Sequence, residues 1–203
     1  MRRRICSFAL GLLLVSLSPA AAAERSSAWA LAGVGYGSAR FPLQHHDSTF
    51  VVYGADGPLF TIGGVLAVPI SERWELALRG LVAYRTVSGA YTTTVQDIGA
   101  PRPSRVSAFT LALDPTLRLR LGAGYVGLGP TLGSFLARGT LGTGTSAETS
   151  SSRHFMSGAV LEGGYRFNAW ELFVRTSFSL LLPSERVDEG VALDVTLGIA
   201  RRL

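Results

Sequence analysis

Between residues 154 and 183 apolar and polar side chains alternate along the chain. Phe155, Ser157, Ala159, Leu161, Gly163, Tyr165 and Phe167 share one parity. After Asn168-Ala169 the pattern resumes with Trp170, Leu172, Val174, Thr176, Phe178, Leu180 and Leu182. The other parity carries Glu162, Arg166, Glu171 and Arg175. A period of two over this length predicts two β-strands. Asn168-Ala169 predicts a two-residue turn, because Asn accepts the positive φ that such turns demand. That turn sets Arg166 opposite Glu171 and Glu162 opposite Arg175, so both pairs are expected to be direct cross-strand partners.

The same alternation predicts six further strands. The first, about Ser27 to Arg40, is Gly-rich and ambiguous in facing, since Trp29 and Leu31 have one parity and Val34 and Tyr36 the other. The second, about Pro58 to Ile70, sets Phe60, Ile62, Leu66, Val68 and Ile70 against Thr61, Gly63 and Ala67. The third sets Trp74, Leu76, Leu78, Gly80, Val82 and Tyr84 against Glu75 and Arg79. The fourth, about Ser104 to Leu121, sets Phe109, Leu111, Leu113, Leu117 and Leu119 against Thr110, Asp114, Thr116, Arg118 and Arg120. Pro115 lies on its apolar parity and is read as a local bulge. In the fifth, Val126, Leu128, Pro130 and Leu132 oppose a nearly bare face of Gly127, Gly129, Thr131 and Gly133. That bare face leaves room for Arg118 and Arg120. The eighth, Val191 to Leu203, sets Val191, Leu193, Val195, Leu197 and Ile199 against Asp194, Thr196 and Gly198.

Connections alternate in length. Turns near 71–73, 122–124 and 168–169 are short, whereas 41–57, 87–103 and 138–153 are long, polar and read as mobile surface loops. Residues 184–189 form a short charged loop.

Alternation fits a soluble barrel as well as a membrane barrel, so the direction of the apolar face must be argued. The polar face holds Thr, Ser, Gly and opposed Glu/Arg pairs, with no Lys anywhere in the chain. A solvated exterior carries more charge than that. Aromatics gather beside the short turns (Trp29, Trp74, Tyr125, Phe167, Trp170) and towards the opposite strand ends (Tyr84, Phe109, Phe155). Two such bands are what the two interfaces of a bilayer select. The apolar face therefore points outward into lipid.

Composition agrees. Charged residues make up 16% of the chain, against roughly 25% in soluble domains. Arg2-Arg3-Arg4, the apolar run Ile5 to Leu17 and Ala21-Ala22-Ala23 read as a secretory signal over 1–23, cleaved before Glu24, with 24–203 forming one barrel domain. Losing those three arginines takes the formal charge from +5 to +2 and removes Cys6, the only cysteine. The arginines are dispersed, which speaks against nucleic acid as a partner. No segment after the signal is apolar enough for a transmembrane helix, and a closed barrel is then the route across a membrane.

These features resemble the small Gram-negative outer-membrane barrels of the OmpX, OmpW and OmpA-transmembrane-domain type. The resemblance covers the whole chain after the signal. It implies an all-β, eight-stranded antiparallel up-and-down transmembrane barrel with both termini in the periplasm. It implies contact with outer-membrane lipid and lipopolysaccharide, and insertion by the barrel-assembly machinery, which reads the last strand. Val191, Leu193, Val195, Leu197 and Ile199 match that signal; the terminal Leu203 stands where the family usually has Phe, and Arg201 falls on the apolar parity, read as snorkelling at the interface.

Three constellations could carry chemistry. The inward charges Glu75, Arg79, Asp114, Arg118, Glu162, Arg166, Glu171, Arg175 and Asp194 could line a conduit, but eight strands leave room only for side chains, so a paired, filled lumen is expected. His154 and Ser157 resemble the pair of the lipid A deacylase PagL. That family has His-x-Ser, whereas His154-Phe155-Met156-Ser157 places the two on opposite faces, so His154 is read as a polar residue at a strand rim. His45-His46-Asp47 lacks a third partner for a metal. No catalytic, metal or cofactor site is expected. The role expected is structural or surface-interacting through the loops; a small-solute transport barrel and a lipid-modifying enzyme are the alternatives.

Overall fold

Period-two alternation produces one continuous antiparallel sheet. The computed structural model describes residues 26–45, 48–53, 56–94, 102–141, 148–183 and 190–203. The leader 1–23 and its cleavage site lie outside these residues, as do 184–189, His46 and Asp47. Among the described residues nine segments are extended: β1 (Ser27–His45), β2 (Ser48–Tyr53), β3 (Gly57–Pro69), β4 (Trp74–Thr94), β5 (Arg102–Leu121), β6 (Gly124–Leu141), β7 (Glu148–Phe167), β8 (Trp170–Pro183) and β9 (Gly190–Arg202). β2 and β3 both run between β1 and β4, so together they form one interrupted barrel strand. The barrel has eight strands in nine segments, and β1 closes it on β9.

The β7–β8 hairpin turns at Asn168, whose φ is 54°, and it pairs Phe167 with Trp170, Arg166 with Glu171 and Glu162 with Arg175. The expected register holds throughout. Pro115 is not a bulge: Leu113 faces Leu132 and Leu117 faces Leu128, so the register is the same on both sides of the proline. A proline removes one ladder donor, and that alone need not insert a residue.

The long connections differ from expectation. Much of 41–57, 87–103 and 138–153 is not loop but ladder. Phe41 to His45 pair with Ser48 to Val52, Thr92 pairs with Arg102 and Leu141 with Glu148. The 21 residues of β4 run to roughly 70 Å of contour at about 3.3 Å each, and a tilted strand needs only about 9–11 residues to cross the hydrocarbon. The hairpins therefore rise past the membrane as β-arms. Continuing the ladder satisfies the backbone groups that a loop would leave to water.

Burial follows parity. Val34, Tyr36, Phe60, Ile62, Leu66, Leu78, Val82, Leu111, Leu128, Leu161, Val174 and Leu197 are exposed on the outside. An apolar belt of this extent is not tolerated in water and is the lipid-facing surface of a membrane barrel. Facing along β1 is now defined: Trp29 and Leu31 point inward, Val34 and Tyr36 outward. Along β9 Val191, Leu193, Val195, Leu197 and Ile199 are exposed outside, and Leu203 is exposed at its end.

Phe60, Tyr84 and Phe109 stand side by side on β3, β4 and β5 towards the long-hairpin end, with the Tyr84 and Phe109 rings 4.8 Å apart. Trp74, Phe167 and Trp170 are exposed at the short-turn end. Arg201 stays at that rim, its guanidinium 5.7 Å from the Trp170 ring. Two aromatics expected in this band are not there. Trp29 and Tyr125 point into the lumen, because each lies on the inward parity of its strand.

Candidate functional site: the filled lumen

The lumen has two layers. Towards the short turns it is ionic on the β4–β8 side and apolar where Trp29, Leu31, Val65 and Phe173 pack, while the Arg85–Asp194 pair stands higher, with Arg85 level with Leu59 and Ala108. Five carboxylates (Glu75, Asp114, Glu162, Glu171, Asp194) face five arginines (Arg79, Arg85, Arg118, Arg166, Arg175), and all ten join ion pairs. The set is neutral. Nine of its members were expected from parity. The tenth, Arg85, shares the inward parity of Glu75 and Arg79 and adds to the expected set.

Glu162 sits at the hub. Arg118 grips it with Nε on Oε1 at 2.7 Å and Nη2 on Oε2 at 3.1 Å, while Arg79 Nη2 lies 2.6 Å from Oε2. Thr116 Oγ1 also donates to it. Arg118 Nη1 continues to Glu75 at 3.2 Å. Arg166 binds Glu75 through two donors at 2.8 and 2.7 Å and Glu171 through Nε at 2.8 Å. Tyr125 closes the chain by donating its hydroxyl to Glu171 at 2.7 Å. Side chains from β4, β5, β6, β7 and β8 are thus tied into one network. Bidentate guanidinium–carboxylate contacts are the stronger and more directional kind of ion pair.

Aromatic faces complete it. Arg118 lies 4.3 Å from the Tyr125 ring centre, Arg166 lies 5.1 Å from Tyr125 and 5.3 Å from Trp29, and Arg79 lies 4.4 Å from Phe173. Trp29 and Tyr125 serve the arginines instead of the membrane interface. Two pairs stand apart from the network: Arg175 Nε on Asp114 Oδ2 at 2.7 Å, and Arg85 with Asp194.

The expected Glu162–Arg175 ion pair is therefore corrected. The two face each other in register, but Glu162 is taken by Arg118 and Arg79, and Arg175 by Asp114 and Ser177. The reason is Gly127. It lies between Arg118 and Glu162 in one row across β5, β6 and β7, and its missing side chain lets Arg118 reach over. A Cβ there would stand 2.9 Å from Arg118 Cγ and 3.2 Å from Glu162 Cγ. The bare face of β6 thus houses Arg118 as expected, while Arg120 is exposed at the rim.

Towards the long hairpins apolar side chains surround the Arg85–Asp194 pair, which the alternation did not foretell. Phe41, Leu59, Leu81, Val106, Phe135, Met156 and Leu181 are buried there with Ala39, Ala83, Ala108 and Ala137. His154 is buried among them, at 6.2 Å from both the Phe41 and the Phe135 ring, with Ser152 Oγ 2.9 Å from Nε2. It is not at the rim. His154 faces inward and Ser157 lies on the opposite parity, so the two do not form a nucleophile–base pair. Among the described residues no cluster of three His, Cys, Asp or Glu side chains could hold a metal.

The sequence matches no protein-family model, and no curated protein matches it. Solved structures do resemble it. Neisserial surface protein A superposes with a TM-score of 0.52 at 12% identity, covering 88% of this chain and 99% of that one. Ail, the attachment invasion locus protein of Yersinia pestis, gives 0.50 at 13% identity, covering 87% and 99%, both alone and in complex with the heparin analogue sucrose octasulfate. The shared property is the fold, that of the small outer-membrane β-barrels.

Proposed function

We propose that the protein is a sealed outer-membrane barrel with both termini in the periplasm, acting as a structural or surface-interaction protein through the hairpins at its opposite end. The observation that carries this reading is the neutral lumen network capped by an apolar layer. A conduit for ions needs a continuous polar path, whereas here ten charges pair with one another and bulky apolar side chains pack above eight of them and around the Arg85–Asp194 pair. The fold shared with Ail and Neisserial surface protein A, the exposed apolar belt and the long arms support the location and the working end. Contact with the barrel-assembly machinery through β9 belongs to the same proposal, and no catalytic role is assigned.

Orientation decides where the arms act. A protease site inserted within 142–147 should be cut on intact cells. Cleavage only after the outer membrane is broken would place the arms inside and overturn the reading.

A further inference from the structure

The outer face of β4 to β7 changes character from one residue row to the next. The top row holds Thr86, Ser107, Arg138 and Ser151. Below it come Tyr84, Phe109, Leu136 and Arg153, then Val82, Leu111, Ser134 and Phe155, then Gly80, Leu113, Leu132 and Ser157. Two hollows follow these rows. The upper one, about 710 Å³, is lined by Tyr84, Phe109, Leu136, Arg138, Ser151 and Arg153. The lower one, about 400 Å³, lies below it on β3 to β6, where Gly80 leaves the floor bare between Val82, Leu111, Leu113 and Leu132. A Cβ on Gly80 would meet nothing within 4 Å, so the furrow is open to the outside.

We infer that this face is a seat for one phosphate-bearing acylated lipid of the leaflet at the long-hairpin end. Its phosphate lies against Arg138 and Arg153, and an acyl chain lies in the furrow over Gly80. Three features support this occupant. Both cations are arginines, whose planar fork matches phosphate oxygens. Ser107 and Ser151 flank Arg138 with hydroxyls able to bond a polar headgroup. From Arg138 to Leu132 the strand runs roughly 20 Å at about 3.4 Å per residue, the reach of a fatty acyl chain. In the outer leaflet the fitting lipid is a phosphorylated lipid A. The inference rests on the orientation proposed above, which the protease experiment tests separately.

Native mass spectrometry tests it on the full barrel in neutral detergent, titrated with bisphosphorylated lipid A and with its dephosphorylated form. Heat-modifiable gel migration first establishes that each variant is folded. The wild type should retain one lipid A and bind the dephosphorylated form far more weakly. Arg138→Gln with Arg153→Gln should weaken binding about thirtyfold, from two surface cations acting on an anionic lipid. Gly80→Leu, which fills the furrow without touching the cations, should also weaken it. Arg120→Gln with Arg202→Gln at the other rim should change nothing. Equal binding of both lipid forms would overturn the inference, as would lipid A affinity unchanged in the arginine double variant. Should that variant fail to fold, the two lipid forms on the wild type decide the matter alone.

Discussion

Glu162 and Arg175 face each other across the β7–β8 hairpin, yet neither side chain binds the other. Arg118 reaches Glu162 from two strands away over the bare Gly127, and Arg175 turns instead to Asp114 on β5. Register places the residues; the length of an arginine chooses its partner.

Coupling should therefore follow contact, not register. In a double-mutant cycle, Glu162→Gln with Arg118→Met should show an interaction of about 1–3 kcal/mol by urea unfolding in micelles. Each single change should cost about 3–5 kcal/mol where it strands a buried charge. Glu162→Gln with Arg175→Met should couple much more weakly. Strong coupling in the second cycle and none in the first would mean that the hairpin pair is the real one.

Gly127 should resist substitution. Gly127→Val drives a side chain into Arg118 and Glu162 and should lose about 1–3 kcal/mol. Gly80→Val points into open space and should fold as the wild type does. Equal thermal midpoints for the two variants would contradict the packing described for the row.

Tyr125→Phe removes the hydroxyl that closes the network at Glu171 but keeps the ring under Arg118 and Arg166. The expected loss is about 1 kcal/mol, because Arg166 still neutralises Glu171. Tyr125→Leu, which also discards the aromatic face, should lose more. Urea midpoints of the two variants check the order.

A charge on the lipid face of β9 should block assembly. Val195→Asp or Leu197→Asp places a carboxylate in the belt, at a cost reaching about 2–4 kcal/mol for basic residues at the midplane and somewhat less for acids. Loss of the heat-modifiable band checks it. A wild-type chain that folded from urea into a soluble monomer without detergent or lipid would contradict the outward-facing belt.

The outer wall was legible in the sequence because a bilayer enforces one rule at every second position, and Leu193 to Ile199 obey it without exception. The lumen was legible only by parity. Arg85 and Tyr125 carried the inward parity and could have been placed. The partner of Glu162 could not, since it depends on reach over Gly127. Alternation in β1 was silent on facing because Gly and Ala fill much of both faces between Ala28 and Ala39. The β-arms were read as loops because beyond the hydrocarbon no apolar belt is needed, while the ladder continues on backbone hydrogen bonds alone.

Conductance across a planar bilayer tests the sealed lumen most directly. The wild-type barrel, inserted at single-molecule density, should give no stable ohmic steps. Glu162→Ala combined with Arg118→Ala, which opens the hub of the network, should conduct more than the wild type. Regular conductance steps from the wild type, unchanged in the double variant, would contradict a lumen closed by these side chains.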